Sequence, residues 1–278
     1  MGRLFRNLAN QLGVVSLVSV IILILMTLAG IFAPFFVKDP FAISGNTYLP
    51  PTYEHPAGTD SLGRDVLSRI LVGTRTALYV GLGAATLSSL LGTVIGGLAG
   101  FRGGWVDELL SRLIEIFLVM PIFFLLILVV SLFGANIMFT VIAIGAVTWP
   151  RNARIMRAQA LSLKETTFCK AAVVSGASTS RILFFHIIPN GIAPVIASSA
   201  LLIGSAVLIE AGLSFLGLGD PNIISWGGMI RDGRKALTFA PWLSLFPGLA
   251  LVVFAAAMSF LGDRLSHILN PELSKKTM

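Results

Sequence analysis

Residues 116–150, IFLVMPIFFLLILVVSLFGANIMFTVIAIGAVTWP, form a run of 35 positions between Glu115 and Arg151 without a charged side chain. How often this run crosses a bilayer decides the fold. One continuous helix of that length would measure about 52 Å at 1.5 Å per residue, too long for a hydrocarbon core of about 30 Å unless steeply tilted. Gly134-Ala135-Asn136, near the middle, offers a turn that would divide the run into two spans. Four other charge-free runs are shorter and each suits one span: 31 residues after Arg6, 26 after Arg75, 28 after Arg181 and 27 after Lys235. Positive charge discriminates between the two counts, because Lys and Arg in short loops stay on the cytoplasmic side. With six spans and an inner N-terminus, thirteen of the 20 Lys and Arg residues fall inside and seven outside, and a five-span count inverts that ratio. The sequence therefore predicts six transmembrane helices.

Composition agrees. Of 278 residues 55% are hydrophobic and 12% charged, with a mean hydropathy of +0.89, whereas soluble domains carry about 25% charged residues. The expected class is an all-α, multi-pass integral membrane protein with both termini cytoplasmic. The net charge of +7 follows from the inner-face bias beside anionic lipid, so no nucleic-acid partner is expected. A single cysteine, Cys169, excludes an internal disulfide. The apolar run after Arg3 and Arg6 is longer than the 7 to 15 residues, roughly, of a secretory signal core, which predicts an uncleaved first helix.

The predicted spans cover about 14–36, 76–100, 113–133, 136–150, 191–214 and 243–262. An outer segment fills 38–75 and an inner loop 151–190, dividing the chain into an N-terminal part, 1–75, and a five-helix core, 76–278. Along the second span Ala84, Ser88, Gly92, Gly96 and Gly100 recur at every fourth position and align on one stripe, a face for close helix packing within the bundle or with a second subunit. No repeat of 20–50 residues is evident.

Candidate catalytic groups are sparse. There is no G-x-x-x-x-G-K-[ST] phosphate loop, so nucleotide hydrolysis by that mechanism belongs elsewhere. Gly217-Leu218-Gly219-Asp220 matches a short intramembrane aspartyl-protease motif, but no span holds the second Asp that such chemistry shares. Ser214 lacks a nearby histidine and the following glycine of a nucleophile turn. His55, His186 and His267 are scattered, so no metal site is expected. Glu210 is the one carboxylate flanked by long apolar sequence, and an intramembrane acid is either a gate or ion site or a hydrogen-bonded structural group.

The inner loop has another character. Ser162-Leu163-Lys164-Glu165 has the capping-box pattern and predicts a helix continuing through Lys170, Ala171 and Ala172. Gly176 would break it, Ser178 or Thr179 would cap a second short helix through Phe185, and Pro189 would end that one. On the outer side, Asp60 is expected to cap an interfacial helix carrying Arg64, Asp65 and Arg69, with Asp65 and Arg69 four apart and able to pair.

The segment Lys170-Ala171-Ala172-Val173-Val174-Ser175-Gly176, followed after nine residues by His186-Ile187-Ile188-Pro189, resembles the EAA loop of permease subunits of ATP-binding-cassette importers. HPAGTDSLGRDVLSRILVGTRTAL from His55, EAGLSFLGLGDP from Glu210 and WGGMIRDGRKAL from Trp226 resemble the dipeptide, oligopeptide and nickel branch, and its C-type permease in particular. Lys170 departs from the loop's usual acid. The resemblance implies the type I importer permease fold, with a coupling loop (Lys170, Ala171, Ala172, Gly176, Pro189) that docks on ATPase subunits. It further implies a place in the cytoplasmic (inner) membrane of a prokaryote, a homologous B-type permease, two ATPase subunits holding ATP and Mg2+, and an extracytoplasmic binding protein. No cofactor is expected on this chain, and Arg64, Asp65, Arg69, Arg231 and Arg234 are the expected binding-protein contacts. The rival reading is a self-sufficient secondary transporter or channel built around Glu210, with an intramembrane hydrolase using Ser214 or Asp220 as a third.

Overall fold

The computed structural model describes residues 2–36, 39–43 and 45–269, with backbone alone at 2–13 and 34–36. Lys38, Lys275 and Lys276, three of the charges counted above, lie outside the described residues. The described residues are helices and connecting turns: α1 (Gly2–Phe36), α2 (Val66–Arg102), α3 (Gly104–Val119), α4 (Ile122–Phe133), α5 (Ile137–Leu163), α6 (Thr167–Val174), α7 (Thr179–Ile182), α8 (Ile188–Gly191), α9 (Ala193–Phe215), α10 (Trp226–Gly233) and α11 (Trp242–Leu269).

The charge-free run turns back where Gly134-Ala135-Asn136 predicted. Gly134 takes φ 91°, and Asn136 caps α5 by accepting from the Met138 N–H at 2.8 Å. Two contacts locate the turn. The N–H of Ile137 donates to Asp220 at 3.1 Å, beside the α9–α10 connection, while Asp107 of α3 pairs with Arg157 of α5 at the other end of the bundle. The chain therefore crosses between the two ends before residue 134 and again after it. Four helices are long and apolar enough to span on their own: α1 over Val14–Ala33, α2, α9 and α11. The bent pair α3–α4 is apolar enough, taken together, to make a fifth candidate crossing.

Three elements differ from expectation. The span predicted at 113–133 is not straight: it breaks at Met120-Pro121, and α3 and α4 meet at 89°. Pro121 has no N–H to continue α3 and pushes Met120 into extended geometry, φ −70° and ψ 134°. The second span begins ten residues before the predicted 76, because Asp65 rather than Asp60 is the cap. The fourth runs thirteen residues past the predicted 150, into the expected loop. Ala153, Met156 and Ala160, spaced on one helical face, are fully buried and hold that extension down. Ser162 and Glu165 consequently form no capping box: Ser162 lies in the last turn of α5, and α6 starts after Thr166.

The small-residue stripe packs inside the chain. A Cβ at Gly92 would stand 2.6 Å from the Asn152 Cβ, and one at Gly96 or Gly100 would collide with the carbonyls of Ala153 and Arg157. This seam of α2 on α5 sets the backbones close enough that any side chain would separate them. α9 packs on α2 and α11, and α1 closes the outside of α2 and α11. Arg75 donates to the carbonyls of Gly30 and Ile31, each at 2.7 Å, where Pro34 has no N–H to offer Gly30.

Candidate functional site at the two ends of the bundle

At the end that holds the Asp107–Arg157 pair, the segment 164–192 forms a protrusion keyed into the bundle by one face. Cys169, Ile182, Leu183 and Ile187 are buried against Met156, Ala160 and Val195, and Ala172 and Ala177 pack at the edge of this cluster. Burial, with help from the Glu165 charge, pushes the Cys169 thiol above its usual range, so it is an inert core group. The opposite face is bare: Val173 and Val174 are 56% and 89% exposed, Phe185 is 73% exposed, and Lys170 and Ala171 lie beside them. Lys170 reaches Glu165 at 3.0 Å across solvent.

Gly176 ends α6 as predicted. Its φ of 78° lets the Gly176 N–H reach the Val173 carbonyl and the Ala177 N–H reach that of Ala172, which closes the helix in a Schellman turn. Nothing in the chain lies within 4 Å of where a Cβ would stand, so backbone angle, not crowding, requires glycine. Ser178 then caps α7, accepting from the Arg181 N–H at 3.3 Å. Pro189 does not end this helix. A π-turn at Leu183–Ile187, with the Ile188 N–H bonded to the Leu183 carbonyl, passes the chain into α8 around the proline's missing donor.

At the other end, residues 39–65 and 216–241 build a cap. Here the expected interfacial helix is replaced by a turn folded on charged groups. Asp65 accepts from the Ser68 N–H at 2.7 Å and the Ser68 hydroxyl at 2.6 Å, and meets the His55 ring at 2.8 Å. It therefore does not pair with Arg69. Burial alone would raise the Asp65 carboxyl, but the two Ser68 donors and His55 outweigh it and hold it below the usual range. Asp60 takes Arg64 at 2.7 Å and has Arg69 at 3.8 Å. Asp65 and Arg69 are buried, Arg64 is partly exposed, Arg231 lies against Asp232 at 3.1 Å, and the exposed Arg234 sits 5.7 Å over the Phe215 ring.

The other half of the cap seats on α9 and α2. Trp226 donates to the Ile70 carbonyl at 2.9 Å, Thr76 donates to that of Ile224 at 2.7 Å, and Gly227 lies so close to α9 that a Cβ would collide with the Ala211 carbonyl. Glu210, 4% exposed, accepts from the Ser214 hydroxyl at 2.5 Å and has Ser225, the cap residue of α10, as a second partner. Asp220 serves the start of α5. The groups of the hydrolase reading are thus committed to structure: Ser214 to Glu210 and Asp220 to a helix end.

A multi-pass helical bundle, sealed at one end by a folded cap and offering a bare apolar loop at the other, has the form of a membrane transport subunit. The chain belongs to the family of binding-protein-dependent transport system inner membrane components, whose model matches residues 92–275. It is 37% identical over 275 residues to the oligopeptide transport system permease protein OppC of Bacillus subtilis, covering 98% of this chain and 89% of the relative. It is 38% identical over 267 residues to the dipeptide transport system permease protein DppC of Alkalihalophilus pseudofirmus, covering 95% and 87%. To OppC of Escherichia coli K12 it is 42% identical over 274 residues, covering 96% and 89%. Proteins of this family are transport components rather than enzymes, and the chain is a multi-pass membrane protein.

Proposed function

We propose that this chain is the C-type permease of an ATP-driven peptide importer. Together with a homologous B-type permease it encloses a path through the cytoplasmic membrane, with its termini and the protruding loop on the cytoplasmic side. Two ATPase subunits carry the ATP and Mg2+, and their nucleotide-driven closure moves α5 and α9 through the protrusion, which joins both. An extracytoplasmic binding protein delivers the peptide to the cap, where Arg64, Arg231 and Arg234 are accessible beside the exposed Lys235, and Asp65 and Arg69 act from beneath as supports.

The observation that carries this reading is the two-faced protrusion. Cys169 is locked in the core while Val173, Val174 and Phe185 stand in solvent, an arrangement costly on a cytoplasmic surface unless a partner covers it. Lys170, Ala171, Gly176 and Pro189 are also exposed, and Ala172 packs at the edge of the buried cluster.

The test is affinity co-purification from gently solubilised membranes, followed by ATPase assay. Val174→Asp alters only an exposed side chain, so the chain should remain folded while recovery of ATPase subunits falls at least tenfold. Recovery and peptide uptake equal to wild type would sink the docking role. Glu210→Gln keeps a partner for Ser214 and should leave ATP-dependent uptake within about twofold, whereas an ion-coupled carrier built on Glu210 would stop.

A further inference from the structure

A cavity of about 260 Å³ lies between the α3–α4 elbow, α5 and α9. Phe117 and Ile122, on either side of the break at Met120-Pro121, form one wall with Leu202 of α9. Such a break at membrane depth leaves the last carbonyls of α3 without helical donors, and irregular backbone is tolerated there only when buried in protein or lining a polar cavity.

Leu118, Val147, Pro150 and Ile209 extend the apolar lining, and Thr148, Arg151, Asn152, Ser198 and Ser205 set a few polar groups into it. Ser198 is 7% exposed and its hydroxyl has no hydrogen-bond partner among the described residues. A buried hydroxyl in that state is missing a ligand or water, since burial has stripped it of bulk solvent. Asn152 gives its amide N–H to Ser88 at 3.2 Å, which leaves its carbonyl oxygen as an acceptor. Ser205 donates to the Leu201 carbonyl at 3.2 Å and keeps its lone pairs free. Arg151, exposed, is also in the lining.

We infer that this cavity is a transit subsite for peptide, taking a short stretch of backbone whose amides meet Ser198, Asn152 and Ser205 while a side chain rests on the Phe117–Ile122–Leu202 wall. Arg151 offers a counter-charge to a passing carboxylate. The polar groups address amides that every peptide carries, and the wall is apolar without shape for any one side chain, so the subsite is tolerant of sequence. This rests on the proposed peptide transport and deepens it.

The test uses the whole transporter reconstituted in liposomes with its binding protein. Ser205 is exposed and Cys169 is 1% exposed, so Ser205→Cys introduces the one accessible thiol of this chain. A mixture of unmodified tripeptides should slow its modification by a thiol reagent at least fivefold, with binding protein present in both arms. Ser198→Leu, which fills the cavity, should cut tripeptide uptake about tenfold while binding-protein-stimulated ATPase activity persists. Peptide-independent labelling, or protection by assembly alone, in a variant that still imports tripeptides would overturn the subsite and leave the permease reading standing. Uptake without ATPase subunits, or no tripeptide uptake by the wild type, would instead remove the reading on which the subsite rests.

Discussion

The two ends of the bundle spend their side chains differently. At the capped end Asp60, Arg64, Asp65, Arg69 and His55 bind one another, and Trp226, Thr76 and Glu210 tie α2, α9 and α10 together through side-chain hydrogen bonds. At the other end α6 to α8 are held by one apolar face, and the polar contact of Lys170 with Glu165 lies in solvent. Buried, mutually satisfied charges fix a geometry, because removing any one strands its partner. A helix anchored on one apolar face with an open opposite face can instead accept a second surface without losing its own seat. The difference teaches that the charges of the cap are matched within this chain, whereas α6 leaves Val173 and Val174 uncovered by the described residues, although the cap too exposes Phe41, Ile43 and Tyr53.

Two glycines break that comparison most directly. Gly227→Val would drive α10 off the Ala211 backbone, a clash with no flexible side chain to yield, and should cost about 3 kcal/mol or more of stability. Gly176→Val meets no atom and strains only the backbone, at about 1–2 kcal/mol for one residue in the left-handed region. Thermal unfolding of the purified chain should therefore show a large loss for the first and a small one for the second. Co-purification should show the reverse emphasis, with Gly176→Val retaining a folded chain that has lost its ATPase subunits. Equal stability losses would mean that the protrusion is as self-sufficient as the cap.

The Asp65 cluster sharpens the contrast through pH. Its carboxyl is held below the usual range when folded, so its contribution is fully present above the unfolded carboxylate value of about 4 and is lost as pH falls through the folded one. Asp65→Asn keeps an oxygen to accept from Ser68 but removes the charge and sets an amide NH2 in place of the oxygen facing His55, and should cost about 1–2 kcal/mol at neutral pH. Unfolding followed from pH 7 down to 3 should converge for the two proteins in acid. A gap that stays constant would assign the loss to packing rather than to charge.

Sequence alone carried some of this and not the rest, for physical reasons. The all-helical class was legible from long charge-free runs, the turn at Gly134-Ala135-Asn136 from its glycine, and Gly176 and Ser178 because their roles are local. The half of α5 beyond Arg151 was not, since counting charge-free residues stops there, although Ala153, Met156 and Ala160 carry the helical period that would have found it. The elbow had a signal in Pro121, which an unbroken apolar count passes over. Pro189 misled in the opposite way: a π-turn absorbs it. The Asp65–His55 contact and the partners of Glu210 depend on tertiary folding across the cap, which no local pattern encodes.

Lys170 gives the smallest effect and the finest cut between the two ends. It occupies a position where the loops this segment resembles carry an acid, which raises the question of whether docking depends on its charge. Its ion pair with Glu165 spans two side chains that are 62% and 67% exposed, and such pairs are worth about 0–1 kcal/mol before salt screens them further. The neighbouring Ala171, Val173 and Val174 offer an apolar surface that ionic strength does not weaken. Lys170→Ala should therefore change the melting temperature hardly at all and leave ATPase recovery within about twofold at both low and high salt. Loss of the ATPase subunits at high salt from the wild-type complex, reproduced at low salt by this variant, would instead place the docking energy in the charge and make the protrusion electrostatic after all.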